Sequence, residues 1–223
     1  MRLKEFLELR RPAESRKNLE RDDSMKKYMI IVTGCPGCGK TSLAGQICRF
    51  FPEMEQISYD AIKEQYFDRY GFDNASEKAR LNERSLESFY RILDDAMAKG
   101  RMLLIEYPFC KKHAGALRQL AEKRGYSMLT ILLTGDMRTL YLRGIHRDDS
   151  KRRHLGHLLN RYHLGVLPDP GDWIQAMEFE ENVGMCREKD YDIRLGETIR
   201  VDVTDIGAVD AQKLCRKIRK IVI

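Results

Sequence analysis

One glycine-rich segment holds the residues whose chemistry is clearest: Gly34, Cys35, Pro36, Gly37, Cys38, Gly39, Lys40, Thr41 and Ser42. Its spacing matches G-x-x-x-x-G-K-[ST], the phosphate-binding P-loop, and it lies between a strand-like run and a helix-like pattern. The glycines let the backbone curl and turn its N–H groups toward phosphate oxygens, at the positive end of the following helix. Lys40 can reach the β- and γ-phosphates of a nucleotide, and the Thr41 hydroxyl can ligate Mg²⁺. The segment therefore predicts a site for ATP and Mg²⁺.

Two acidic residues follow predicted strands and are candidates for work on a phosphoryl group. Asp60 comes just after the second predicted strand, and Glu106 ends the third, which is nearly all apolar. The carboxyl ends of parallel strands form the ligand edge of such a sheet, so both residues belong beside Lys40. Asp60 is predicted to orient an acceptor hydroxyl and accept its proton, although Asp is also a common helix N-cap. Glu106 is predicted to lie on the magnesium side of the site with Thr41.

A basic stretch over about residues 143–164 contains the candidates for contact with a transferred phosphoryl group. Arg143 and Arg147 are four residues apart and therefore share one face of a helix. An arginine delivered by a mobile lid can stabilise the charge that develops during phosphoryl transfer. A solvated basic helix is the alternative interpretation. The histidines of this stretch match no metal site and are predicted to be surface or substrate-side polar groups: His146, His154, His157 and His163.

Cys35 and Cys38 also form a C-x-x-C pattern, which elsewhere indicates a redox dithiol or half of a zinc site. A zinc site needs a second pair at similar spacing, and the remaining cysteines are solitary: Cys48, Cys110, Cys186 and Cys215. The glycine spacing of a P-loop explains the segment better. Thiols near a helix N-terminus often have lowered pKa values, so ATP binding that is sensitive to oxidation is a secondary hypothesis.

The elements that must position these residues alternate between strand and helix. Apolar runs predict strands that end near residues 34, 58, 106 and 133, with helices between them. Such alternation is typical of the α/β class, here a P-loop three-layer α/β/α sandwich with a mainly parallel five-stranded sheet and a helical lid. The C-terminal third is predicted to contain a helix over about 172–186, strand segments at 191–195 and 199–203, and a last helix over about 206–221.

The 223 residues are enough for one P-loop-sized domain with a full core. We assign residues 1–27 to an N-terminal extension and 28–223 to the P-loop domain, with the lid at about 143–171. No run approaches the ~18 apolar residues of a membrane span, and acidic residues interrupt the N-terminal stretch, which argues against a signal peptide. Six cysteines without regular spacing fit a reducing cytoplasm. The net charge of +6 does not by itself indicate nucleic acid, because a polyphosphate site also needs positive charge.

Taken together, these motifs resemble the P-loop kinases of small molecules and polynucleotide ends. The nearest branch is the one of zeta toxins, chloramphenicol phosphotransferases and polynucleotide kinases. The resemblance covers about residues 28–205, and the P-loop is its most specific part. It implies that Asp60 contacts the acceptor hydroxyl and that Arg143 and Arg147 contact the phosphates. The third strand departs from the family pattern, because it ends in Glu106 rather than in an aspartate.

The favoured function is an ATP-dependent kinase that transfers the γ-phosphate to a hydroxyl of a small molecule. A polynucleotide end kinase is one alternative, in which the basic stretch contacts the phosphate backbone and binding weakens steeply with salt. A nucleotide-binding sensor without efficient turnover is another, although a sensor has no use for an acceptor-side base such as Asp60. The sequence has no N-K-x-D motif, which disfavours a GTPase. It leaves the acceptor and the oligomeric state open.

Overall fold

Strands and helices alternate along the chain in the computed structural model, which describes residues 27–150 and 153–222. The strands are β1 (Tyr28–Gly34), β2 (Glu55–Ser58), β3 (Leu103–Glu106), β4 (Ser127–Thr134) and β5 (Glu197–Asp202). The α-helices are α1 (Lys40–Phe50), α2 (Tyr59–Tyr70), α3 (Ala75–Ala98), α4 (Lys111–Arg124), α5 (Met137–Asp149), α6 (Leu155–Leu158), α7 (Phe179–Lys189) and α8 (Ala211–Val222). Short 3₁₀ helices cover Pro170–Asp172 and Ile206–Ala208. Apart from Lys27, the predicted N-terminal extension lies outside the described residues.

The five described strands form one sheet in the order β2-β3-β1-β4-β5, and every neighbouring pair is parallel. The strand that leads into the P-loop is therefore central. Parallel neighbours require crossover connections, which here are mostly helices packed on the two faces of the sheet. The predicted fold class, a P-loop α/β/α sandwich, is confirmed. Within the described ranges, no helix is long and apolar enough to cross a membrane.

Side chains of β1 enter two separate cores, because successive residues of a strand point to opposite faces. Ile30 and Val32 belong to a core with residues of α1 and α8. Met29 and Ile31 belong to a core with residues of α3 and α4. All four side chains are fully buried. Burial on both faces explains the continuous apolar run in the sequence and holds the P-loop at the carboxyl edge of the sheet.

The start of α2 is set by a side-chain cap directly after β2. The Ser58 hydroxyl accepts a hydrogen bond from the Ala61 N–H, so Ser58 is the N-cap of this helix. Asp60 therefore lies in the first turn of α2, at the ligand edge of the sheet, and is not needed as the cap. The alternative interpretation, in which Asp60 is the N-cap of this helix, is therefore wrong.

The helix expected over about 172–186 begins only at Phe179, so this prediction was wrong in its start. Tertiary hydrogen bonds compete with helix formation in the preceding residues. The Ile174 N–H donates to the carbonyl of Leu158, and Trp173 pairs with Leu159 in an isolated antiparallel bridge. Pairing with the α6 region thus outweighs the local helical preference.

The strand segment expected over 191–195 was also wrong. Its side chains do alternate between buried and exposed, as a strand pattern requires. However, the backbone N–H and carbonyl of Leu195 both pair with the buried Thr130 hydroxyl, instead of with the backbone of a neighbouring strand. The alternation reflects burial of one side of an extended segment, and β5 is the only strand of the described residues that joins the sheet beyond β4.

The last helix begins at Ala211 rather than at about residue 206, because Asp210 caps its first turn. The residues before it form the 3₁₀ helix of Ile206–Ala208, which is capped by Asp205. This break leaves the half-exposed side chain of Ile206 beside the P-loop, where a Cβ on Gly39 would lie 2.9 Å from it.

The predicted lid begins on α5, which ends at Asp149, and continues with the short helix α6. Beyond α5, residues 153–163 pack on the turn between α2 and α3. Their apolar side chains join a small cluster formed by Phe67, Phe72, Leu81, Leu159 and Tyr162. Phe72 and Tyr162 also exchange backbone hydrogen bonds in both directions. This part of the predicted lid is therefore docked on the domain.

Histidines reinforce that docking through three contacts with acidic residues. His154 lies 3.0 Å from Asp68, His157 lies 3.1 Å from Glu64, and His163 lies 2.9 Å from Asp73. The expectation of surface or substrate-side groups was wrong for His157, whose side chain is only 8% exposed. These histidines connect the segment after α5 to α2 and to the turn that follows it.

Candidate active site

The P-loop joins the end of β1 to the start of α1 through a backbone that needs glycine. Gly37 and Gly39 both have a φ of 81°, which side-chain-bearing residues rarely adopt. A Cβ on Gly37 would lie 2.0 Å from the carbonyl oxygen of Leu140 in α5. The glycine spacing thus serves both the curvature of the loop and its close contact with the helix that carries Arg143 and Arg147.

Lys40 is the first residue of α1 and is buried beneath the loop. Its Nζ donates to the carbonyl oxygens of Gly34 and Cys35, at 3.1 and 2.9 Å. The Cys38 Sγ lies 3.6 Å from the same nitrogen. Among the residues that the structure describes, no side chain caps the start of α1, so the positive end of this helix is open toward the cavity above it. The arrangement presents a fixed positive charge and a helix N-terminus to an anion.

Thr41, Ser58 and Glu106 meet through hydrogen bonds at the ends of three elements. The Thr41 and Ser58 hydroxyls donate to the two carboxylate oxygens of Glu106, at 3.2 and 2.8 Å. Glu106 is 4% exposed, and burial raises its pKa above the usual value despite these hydrogen bonds. A buried carboxylate in this setting favours a compensating cation.

Magnesium fits the oxygens of Thr41 and Glu106, because it prefers hard oxygen ligands and keeps several waters or phosphate oxygens in its shell. Across residues 27–150 and 153–222, no group of three or more His, Cys, Asp or Glu side chains could hold a metal by itself. A magnesium ion at this position would therefore share its coordination between these two residues, water and the phosphates of a nucleotide.

Asp60 lies among positive charges. Its carboxylate is 3.5 Å from Lys63 Nζ and 4.0 Å from Arg153 Nη1. Burial alone would raise the pKa of Asp60, but the surrounding charges, with Lys63 the strongest, outweigh it and lower the pKa below the usual value. Asp60 is therefore ionised at neutral pH and can accept a hydrogen bond from a hydroxyl.

A cavity of about 410 Å³ brings the predicted site residues together. Those that line it are Pro36, Gly37, Gly39, Lys40, Thr41, Ser42, Asp60, Glu106, Arg143 and Arg147. Gly34, Cys35 and Cys38 do not line it. The first two instead supply carbonyls that hold Lys40, and the Cys38 side chain is buried below the loop. A neighbouring cavity of about 470 Å³ shares Tyr107 and Pro108 with this one but contains none of the predicted residues.

The two arginines of α5 reach the cavity in different states. Arg143 donates to the carbonyls of Val203 and Thr204, so it ties α5 to the segment after β5. Arg147 is 41% exposed and pairs with its neighbour Asp148, at 2.7 Å. Arg147 is therefore the more easily redirected of the two toward a bound phosphate.

Five other residues line the cavity and were not among the predicted site residues: Lys63, Tyr107, Pro108, Arg153 and Ile206. A signal existed for Lys63, which follows Asp60 by three residues and so lies on the same face of α2. Arg153 belongs to the basic stretch, but its approach to Asp60 depends on how residues 153–163 dock. Nothing in the local pattern singled out Tyr107 or Ile206.

Both thiols of the P-loop have a pKa above the usual value of a thiol. Burial raises the pKa of Cys38, although the charge of Lys40 opposes it. The adjacent Cys186 thiol and burial raise the pKa of Cys35 as well. Since the thiolate is the reactive form, the lowered pKa values assumed in the oxidation hypothesis are contradicted. All six cysteines are free in the structure.

The chain matches the family model of an AAA domain (AAA_33) over residues 29–160, more than half of its length. No curated protein sequence matches it. Among solved structures, a candidate kinase from Chloroflexus aurantiacus J-10-fl has 20% sequence identity and a TM-score of 0.68, over 88% of this chain and 96% of its own. Kti12 from Chaetomium thermophilum, in complex with ADP-AlF3, has 16% identity and a TM-score of 0.57, over 87% and 99% of the two chains. A gluconokinase from Sinorhizobium meliloti 1021 has 16% identity and a TM-score of 0.50, over 86% and 90%.

These likenesses cover 86–88% of the chain and therefore concern the whole sheet and the P-loop at the end of its central strand. Sequence identity to the solved structures is low, so these likenesses bear on the fold alone. The family match rests on the sequence and includes the P-loop, Asp60, Glu106, Arg143 and Arg147. The chain therefore belongs to this AAA-domain family and has the fold of the P-loop nucleotide-binding kinases.

Proposed function

We propose that this protein is an ATP- and Mg²⁺-dependent kinase that transfers the γ-phosphoryl group to a hydroxyl of a small molecule. The observation that carries the proposal is the presence of Lys40 and Asp60 in one cavity. β3 separates the strands that lead to them, and neighbouring strands lie about 4.8 Å apart. The two strand ends are thus about 10 Å apart, which leaves space for a phosphoryl group and an acceptor hydroxyl. The likeness to the candidate kinase and the gluconokinase supports the same reaction class.

Each end of the cavity has its own part in this reaction. The P-loop N–H groups and Lys40 hold the β- and γ-phosphates, and the apolar Ile206 side chain offers contact to a base at the mouth. Magnesium, when bound by Thr41 and Glu106, neutralises charge on the phosphates. Arg147 adds positive charge at the place where negative charge develops on the transferred group. Arg143 holds the segment beside the nucleotide.

Asp60 orients the acceptor rather than acting as a strong base. Its lowered pKa makes it ionised but weakly basic. Phosphoryl transfer passes through a loose transition state in most analyses, so the attacking hydroxyl loses its proton late. A fixed carboxylate that accepts the hydroxyl hydrogen bond and later its proton meets that need.

The test is an acceptor screen with γ-labelled ATP, in which labelled product and ADP are both measured. We expect at least one hydroxyl compound to be phosphorylated, and we expect Lys40→Ala to abolish transfer and weaken ATP binding. Lys217→Ala, which changes an exposed lysine of α8, is the matched control and should behave as the unmodified chain. Tight ATP binding with no transfer to any acceptor would instead support a nucleotide sensor, and normal transfer in Lys40→Ala would refute the P-loop assignment.

A further inference from the structure

Two cations lie beside the Asp60 carboxylate in the cavity. Lys63 and Arg153 both face the Asp60 carboxylate, at 3.5 and 4.0 Å. The other carboxylates near them have closer partners. Asp148 lies 3.8 Å from Arg153 but is bound by Arg147 at 2.7 Å, and Glu64 pairs with a histidine. Two cations therefore share one carboxylate that has no closer partner.

Arg153 has hydrogen-bonding capacity left over. Its side chain is 21% exposed, and its Nε is buried without a hydrogen-bond partner among the described residues. Its contacts with Asp60 and Asp148 are 4.0 and 3.8 Å long, beyond hydrogen-bond distance. The Nε itself has no exposed surface, so a ligand would meet the exposed part of the side chain, which lines the cavity. There a bound carboxylate or phosphate would accept the charge-assisted hydrogen bonds that the contacts with Asp60 and Asp148 are too long to make.

Lys63 lies beside two aromatic rings at the same end of the cavity. Its Nζ lies 5.5 Å from the ring centroids of both Tyr59 and Tyr107, and its side chain is only 12% exposed. Burial lowers the pKa of Lys63 even though Asp60 opposes that effect. The remaining exposed part of Lys63 is placed at the cavity that it lines.

We propose that the acceptor carries an anionic group, a carboxylate or a phosphate, which Lys63 and Arg153 bind while its hydroxyl meets Asp60. This inference rests on the proposed function and adds the substrate class to it. It assigns Lys40 and Arg147 to the triphosphate and Lys63 and Arg153 to the acceptor, while Arg143 holds the segment beside the nucleotide. The acceptor class is a small hydroxy acid or a phosphorylated alcohol, whose anion and reacting hydroxyl are close together.

The competing explanation is purely structural. In it, Lys63 and Arg153 only neutralise Asp60 and help to dock residues 153–163 on α2. That explanation predicts no anion binding at this end of the cavity and no change in acceptor affinity when either cation is removed. The two explanations therefore differ in a binding measurement that needs no knowledge of the natural acceptor.

The first experiment titrates inorganic phosphate by calorimetry into the full chain saturated with Mg²⁺ and β,γ-methylene ATP. The analogue fills the triphosphate site, so added phosphate reports the acceptor side. We expect saturable binding that Lys63→Met and Arg153→Met each weaken by about ten- to hundredfold, with Lys63→Arg restoring most of the affinity. Arg118→Met, at an exposed position of α4, is the control. Analogue affinity and Tm must stay unchanged in the variants, which shows that they fold.

The second experiment compares matched acceptors: ribose 5-phosphate with ribose, and gluconate with glucose. We expect kcat/KM at least about a hundredfold higher for the charged member of one pair, and a rise in its KM in Lys63→Met. The two pairs separate a phosphate from a carboxylate. A 5′-hydroxyl oligonucleotide is included, and transfer to it alone would overturn the small-molecule class.

The outcomes separate this inference from the function on which it rests. Equal transfer to charged and neutral acceptors would overturn the inference and leave the kinase intact. Failure of every acceptor despite ATP binding would count against the kinase, while the phosphate titration still decides the inference. Absent phosphate binding, or phosphate binding in Lys63→Met and Arg153→Met that is as tight as in the unmodified chain, would leave only the structural explanation.

Discussion

Replacing Glu106 with glutamine should make the unliganded protein more stable and its chemistry slower. Glu106 is 4% exposed, and burial raises its pKa above the usual value. An amide of nearly the same size keeps both hydrogen bonds, because its oxygen accepts from one hydroxyl and its NH₂ group donates to the other. The change therefore removes a buried charge without opening a cavity. The hydroxyl partners are those of Thr41 and Ser58, at 3.2 and 2.8 Å.

Single substitutions that relieve one unfavourable feature commonly raise the free energy of unfolding by about 0.5–2 kcal/mol, and we expect an effect in this range. For a chain of 223 residues, 1 kcal/mol corresponds to a rise in Tm of about 2–4 °C. The pH dependence has a definite sign. The folded state holds the Glu106 proton more tightly than the unfolded state, so this group's contribution to stability falls as pH rises from about 4.3, the unfolded value, through the raised folded pKa. Glu106→Gln should therefore exceed the unmodified chain in stability by the full amount above this pH range, and the two should be equally stable below it.

The assay is thermal unfolding in EDTA at pH 7 and at pH 4, followed by a magnesium titration of transfer activity. We expect Glu106→Gln to unfold at a higher temperature at pH 7 and at the same temperature as the unmodified chain at pH 4. Its magnesium-dependent kcat should fall by about ten- to hundredfold. A lower Tm at pH 7 would refute the buried-charge reasoning. Unchanged magnesium dependence would remove Glu106 from the metal site.

Two further changes test the lid and the loop. Arg147→Ala should lower kcat by at least about tenfold and raise the KM for ATP by less, because it removes a contact made chiefly in the transition state. Equal kcat and KM values in Arg147→Ala and the exposed control Arg118→Ala would support the alternative interpretation of a solvated basic helix. Gly37→Ala should weaken ATP binding and destabilise the fold by more than about 1 kcal/mol, because its φ is 81° and its Cβ would lie 2.0 Å from a backbone oxygen. The control is Gly45→Ala in α1, where an added Cβ would meet no described atom within 4 Å. This change should be neutral or stabilise the fold by about 0.5–1 kcal/mol. Equal effects of Gly37→Ala and Gly45→Ala on stability would refute the packing argument.

Much of the fold was predictable because its determinants are local. The apolar run of β1 and the glycines after it mark a buried parallel strand that ends in a phosphate-binding turn. Parallel topology then forces strand ends to one edge of the sheet. For this reason Lys40, Asp60 and Glu106, far apart in sequence, were predicted to meet, and the cavity does contain all three. Their functional roles remain predictions.

The rest depended on tertiary contacts that no local pattern records. Residues 153–163 carry charges typical of a solvated face, yet apolar contacts with α2 and α3 dock them and bring Arg153 to Asp60. The extended segment before β5 alternates like a strand, but the Thr130 hydroxyl takes the backbone groups of Leu195. Both errors have one cause, which is that contacts with residues distant in sequence decide the structure of segments that local reasoning assigned to solvent or to the sheet.

The measurement that tests the central claim most directly is Asp60→Asn, with nucleotide binding and phosphoryl transfer measured side by side. The amide keeps the size of the side chain but cannot accept a proton at neutral pH. We expect ATP affinity by calorimetry to change less than threefold, because the nucleotide is held from the P-loop side. Transfer to an acceptor found in the screen should fall by about 10²–10⁴-fold. Asp95→Asn, an exposed carboxylate of α3, should change neither value. Full transfer activity in Asp60→Asn would contradict the proposed acceptor site, and loss of ATP binding would place Asp60 on the nucleotide instead.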